Sequence, residues 1–244
     1  VDGRWCSDYV VSSYTPTLGV LLSGRNSFAE IRKDEVKALV AAVPRPFKHD
    51  LSDLMSTREE MSSVLSALPE GIAMTLPHLD DAILDDDGGI SVPTLLEKLP
   101  NATILHLACH GQQDRENALR SGFVLRDEML TIERLIPIPL PNAFLAFLSA
   151  CETAKGDEGQ PDQVVHLAAA MLFAGFKSVI ATLWSMQDVD GPMIAQSVYR
   201  DIFAGDSELL DPDDVAYALD AAVQNLRRAH PDPSRWAPYI HLGI

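Results

Sequence analysis

Short, almost wholly apolar runs recur along this chain, with helix-patterned segments between them. "VKALVAAV" (36–43), "TILHLAC" (103–109), "AFLAFLS" (143–149) and "KSVIATLW" (177–184) are apolar at odd and even positions alike. A strand apolar on both faces must be covered on both faces, which points to a mostly parallel sheet between helices. "YVVSSY" (9–14) and "GIAMTL" (71–76) bring the expected strands to about six. "STREEMSSVLSAL" (56–68) predicts a helix with Thr57 and Glu60 at capping-box spacing and Met61, Val64, Leu65 and Leu68 on one face. "SVPTLLEKL" (91–99) has Ser91 as N-cap and Pro93 in its first turn. "QVVHLAAAMLFAG" (163–175) is apolar all round, hence a buried helix stopped by Gly175. Segments 190–205 and 211–230 are amphipathic helices, the latter ending in Arg227, Arg228 and His230, which suits the helix dipole. "SGFVLRDEMLTIERL" (121–135) reads as a small β-hairpin insertion around Arg126–Glu128, then a helical turn capped by Thr131.

At 244 residues the chain is long enough for one large domain. Residues 1–8 read as a leader or linker and 9–244 as the domain. The chain opens on Val rather than Met, as a processed product or a piece of a longer protein would. Its three cysteines, Cys6, Cys109 and Cys151, form no disulfide framework and no Cys-x-x-Cys pair. That fits a reducing, cytoplasmic setting. The net charge of −16 argues against a nucleic-acid partner. No apolar run approaches the ~18 residues of a membrane span, so no membrane partner is expected. Nothing resembles a cofactor fingerprint or a phosphate-cradling Gly-rich loop, and no cofactor is expected.

Ligand sites in open parallel sheets lie at the carboxyl ends of the strands. Three such ends carry reactive or polar groups: Cys109–His110–Gly111, Ser149 through Thr153, and Trp184 through Asp188. His106 and His110 share a strand face but stand about 13 Å apart at strand rise, too far to bind one metal. His106 reads as a structural histidine bonded to backbone, and Cys109, on the opposite face, as a core residue. If the first two strands are neighbours, His110 and Cys151 meet. A thiolate beside an imidazole is a nucleophile with its base. The backbone N–H groups of Gly111 and Cys151 are then candidate oxyanion donors.

In order along the chain, "TILHLACHG", "SGFVLRDEMLTIERL", "AFLAFLSACETAKG", "VVHLAAAMLFAGFKSVIATLW" and "RWAPYIHLG" resemble the CHAT domains, caspase-like modules related to separases in clan CD of the cysteine peptidases. "SYTPTLGVLL" (13–22) matches the usual opening of that family, so the resemblance covers nearly the whole chain. It implies a caspase-hemoglobinase-like α/β sandwich with His110 as general base or acid and Cys151 as nucleophile. In the separase relatives an aspartate shortly after a Leu-Trp pair binds an arginine side chain before the cut. "LWSMQD" puts Asp188 at that position, with Asp190 its nearest competitor. The resemblance thus implies a cysteine endopeptidase that cuts proteins or peptides after Arg, less readily after Lys. Relatives are commonly fused to helical repeats, so regulation by such a region or by a partner protein is expected. The alternative is an idle domain of the same kind that acts as a scaffold by binding a partner. Maturation by cleavage within 155–162, and calcium binding by the acidic run 80–89, stay open.

Overall fold

The computed structural model describes residues 6–19, 21–22, 30–48, 50–74, 89–114, 116–152, 164–184 and 186–243, with backbone alone for 150–152 and 164–166. The acidic run 80–88 and the loop 153–163, with Asp157, Glu158 and Asp162, lie outside the described residues.

Seven strands form one mixed sheet: β1 (Ala38–Ala42), β2 (Ile104–Gln112), β3 (Gly122–Val124), β4 (Met129–Thr131), β5 (Leu145–Glu152), β6 (Ser178–Thr182) and β7 (Tyr239–Gly243). The four that read as all-apolar in sequence, β1, β2, β5 and β6, pair in parallel and in that order. Antiparallel strands flank them. β3 and β4 form the expected hairpin, and β3 pairs with the end of β2. β7 closes the far edge against β6.

Seven helices are described: α1 (Ser56–Ala67), α2 (Val92–Lys98), α3 (Ile132–Leu135), α4 (Val164–Ala174), α5 (Gly191–Phe203), α6 (Pro212–Ala229) and α7 (Pro233–Trp236). They split between two cores. Leu105, Leu107, Cys109 and Leu148 face α2, α3 and α4. Ile104, Leu145, Phe147 and Ile180 face α1, α5 and α6. This is the α/β architecture with helices on both faces that the strand pattern implies.

Local signals hold at several termini. Ser91 Oγ accepts from the Thr94 N–H at 3.4 Å, and Asp211 caps α6 by accepting from the Asp213 N–H at 2.9 Å. α4 stops at Gly175, whose φ of 125° suits glycine. Other expectations need correction. Residues 9–14 form no strand; the segment meets the outer edge of β7 at a single point, where Tyr14 bridges to Leu242. In 71–76 only Ala73 bridges, to Ala38, and 75–76 lie outside the described residues. The capping box of α1 does not form. Met55 takes the N-cap position with helical φ and ψ, Thr57 is buried, and Glu60 turns into the sheet. Thr131 stands at the N-cap of α3 but makes no side-chain cap bond. Cys6–Asp8 forms a short 3-10 turn held to α6, where Gln224 donates to the Ser7 carbonyl.

Candidate active site

The site begins with where two strands end. The sequence pattern stops β2 at Cys109 and β5 at Ser149, but both continue, to Gln112 and Glu152. The polar residues stay in the ladder because β2 has a neighbour on each side there. β3 places Val124 opposite His110, and β5 places Cys151 opposite His110 on the other edge. His110 and Cys151 are therefore direct register partners in a parallel pair. Gly111 follows, opposite Phe123 and Glu152.

His110 is buried. Its Nε2 lies 2.7 Å from the carbonyl oxygen of Ser52. A carbonyl only accepts, so Nε2 carries a hydrogen and Nδ1 is the ring nitrogen left to face the rest of the site. Nδ1 is buried and has no hydrogen-bond partner among the described residues. The ring is thus fixed from one side and leaves Nδ1 without a hydrogen bond on the other. No sequence signal marks Ser52, because its backbone oxygen makes the contact.

The 3-10 turn Asp188–Asp190 follows β6. Asp188 is partly exposed, and its Oδ2 accepts from the Ser56 N–H at 3.0 Å. The carboxylate sits at the N-terminus of α1, where the helix dipole favours negative charge. Ser52 lies just upstream of that terminus, so the same short segment touches both His110 and Asp188. Asp190 is buried, with both carboxylate oxygens taken by a bidentate pair to Arg235 Nε and Nη2. That pair ties the turn to α7. Trp184 is exposed rather than core.

His106 is hydrogen-bonded to a side chain, that of Tyr199, not to backbone as expected from sequence. Its Nδ1 lies 3.2 Å from the Tyr199 hydroxyl, its Nε2 lies 3.2 Å from Glu60 Oε1, and its ring packs on Phe147 with centroids 4.9 Å apart. Cys109 is buried in the opposite core. Among the described residues no group of three or more His, Cys, Asp or Glu comes together to hold a metal ion. No described helix is long and apolar enough to cross a membrane.

The fold itself has solved counterparts. The chain is similar to the crystal structure of the Arg-specific cysteine proteinase gingipain R, at a TM-score of 0.52 and 8% identity, covering 87% of this chain and 48% of that one. It is also similar to the complex of the pro- and mature domains of RgpB from Porphyromonas gingivalis, at 0.53 and 10%, covering 92% and 51%. The chain thus spans about half the length of these solved structures, and the likeness is one of fold, that of caspase-like cysteine peptidases. No curated protein matches it. The family model described as CHAT domain matches residues 2–244, and the chain belongs to that family.

Proposed function

We propose that this domain is a cysteine endopeptidase that uses His110 and Cys151 to cleave proteins after arginine, less readily after lysine. The observation that carries the reading is the register of β2 and β5, in which residues 110 and 151 are paired, together with a buried His110 Nδ1 that meets no hydrogen-bond partner among the described residues. In the proposed reaction the Cys151 thiol gives its proton to Nδ1, and the thiolate attacks the scissile carbonyl carbon. The oxyanion is held by the backbone N–H groups of Gly111 and Cys151. The imidazolium, steadied by the Ser52 carbonyl through Nε2–H, returns the proton to the departing amine. A water, deprotonated by the same nitrogen, then hydrolyses the thioester and frees the enzyme.

Asp188 is the proposed base of the specificity pocket. It has one oxygen on the Ser56 N–H, and a guanidinium can take the other in a charge-assisted contact. The Arg specificity of gingipain R supports this choice. The low cysteine count supports a reducing, cytoplasmic setting, with activity regulated within a larger protein or by a partner.

The test is a peptide panel with Arg, Lys, Asp or Ala at P1, beside Cys151→Ala. Cleavage after Arg that vanishes in the variant is expected; cleavage that survives it ends the assignment. The full burial of His110 favours a second reading, an idle scaffold. Failure of a peptidyl electrophile to label Cys151, with the natural partner present, would select that reading.

A further inference from the structure

The dyad leaves one buried carboxylate unused. Glu60 points from α1 into the core that α1, α5 and α6 form on the sheet, and is 1% exposed. A charge buried there needs partners. Oε2 accepts from Ser149 Oγ at 3.0 Å. Oε1 lies 3.2 Å from His106 Nε2, at ion-pair distance but without the geometry of a hydrogen bond, and the other side of that ring meets Tyr199. Gly191, the first residue of α5, packs so closely that a Cβ there would come within 2.6 Å of Oε2.

The placement of these partners links Glu60 to the site. Ser149 lies two positions before Cys151 on β5, and His106 four before His110 on β2. Both strands that bear the dyad therefore touch one carboxylate. The helix that bears it starts at Ser56, just past the Ser52 carbonyl and capped by Asp188. Apolar packing alone is non-directional and would let a helix slide over a sheet. The Ser149 hydrogen bond is directional, and with the His106 ring beside Oε1 it favours one arrangement of helix on sheet.

We propose that Glu60 is a positioning residue that locks α1 to β2 and β5, and so sets Ser52 and Asp188 against His110 and Cys151. This rests on the dyad reading above. It assigns Glu60 no contact with substrate; Glu60 acts through the groups it holds.

The experiment compares wild type, Glu60→Gln, Ser149→Ala and, as a packing control on the same helix, Val64→Ala. Three quantities are read: the melting temperature, the rate of Cys151 alkylation by iodoacetamide located by mass spectrometry, and kcat and KM on an arginyl peptide. A folded Glu60→Gln is expected to lose about 100-fold in kcat, the scale of a misplacement near 1 Å. Its alkylation of Cys151 should slow as well, with KM little changed. Val64→Ala should melt earlier yet keep both rates. If Glu60→Gln does not fold, Ser149→Ala, which removes one contact, should lose about tenfold. Unchanged alkylation and kcat in a folded Glu60→Gln or Ser149→Ala overturn the proposal. So does wild-type alkylation that is insensitive to His110→Ala. A wild type that cleaves no peptide but shows His110-dependent alkylation refutes the endopeptidase reading alone, and the alkylation arm then decides for Glu60.

Discussion

His110 Nε2 donates to the Ser52 carbonyl across 2.7 Å, and this one contact assigns the chemistry of the ring. A backbone acceptor cannot be lost by changing a side chain, and the Ser52 side chain is exposed. Ser52→Ala is therefore expected to keep kcat/KM within about twofold, as surface changes do. His110→Ala removes the proposed base and should lower kcat by about 10³-fold. Steady-state kinetics on one arginyl peptide check both. A large loss in Ser52→Ala would show that the hydroxyl, not the carbonyl, holds the ring.

Asp188 and Asp190 lie two residues apart and are bound differently. Asp188 keeps an oxygen beyond its bond to Ser56, whereas Asp190 is closed by Arg235. Asp188→Asn preserves size and can still cap α1, so the fold should survive. It should lower kcat/KM for Arg at P1 by about 100-fold, the scale for removing one partner of a charge pair. Peptides with Ala at P1 should change far less. Asp190→Asn should instead lower the melting temperature and leave the Arg-to-Ala ratio as it was. Exchange of these two phenotypes would move the pocket to Asp190.

The all-apolar runs made the parallel core legible because a strand buried on both faces has nowhere to hide a polar residue. The same pattern misplaced the ends of β2 and β5. His110 and Cys151 are polar, yet they stay in the ladder because β3 and β5 supply partners that local sequence does not reveal. β7 was missed: "YIHLG" is short, and its pairing with β6 is non-local. Thr57 and Glu60 matched a capping box by spacing, but that spacing equally puts both on one helix face. Tertiary burial took the second option, since Ser149 and His106 give the carboxylate partners the helix end does not. Ser52 left no trace at all, for a carbonyl belongs to every residue.

His241 on β7 offers a pH test remote from the dyad. Its Nδ1 lies 2.7 Å from Ser13 Oγ, and burial pushes its pKa down to about 4 from 6.5. The unfolded chain binds this proton more readily, so stability rises with pH between those values. The contribution is whole above about pH 6.5, falls as the pH drops and is gone near 4, up to about 3 kcal/mol in all. Chemical denaturation from pH 4 to 7 should show a shallower pH slope for His241→Gln than for wild type. Equal slopes would mean that His241 takes up its proton as readily in the folded protein as in the unfolded chain.

Gly122 makes the strongest steric prediction, and it bears on the site. β3 packs so tightly on β4 that a Cβ at Gly122 would stand 2.1 Å from the Leu130 carbonyl oxygen and 2.8 Å from the Thr131 Cα. These are backbone atoms of the paired strand and cannot rotate aside. Gly122→Ala must therefore spread the hairpin, at about 1–3 kcal/mol, the usual scale of overpacking. Since β3 also holds the edge of β2 at His110, through Val124, the strain is carried to His110. The variant should melt earlier, and amide exchange should quicken in β3 and β4 before it does in β5 or β6. Turnover should fall as well, through the loosened edge of β2. Wild-type exchange in the hairpin of Gly122→Ala would show that β3 and β4 are not packed this closely.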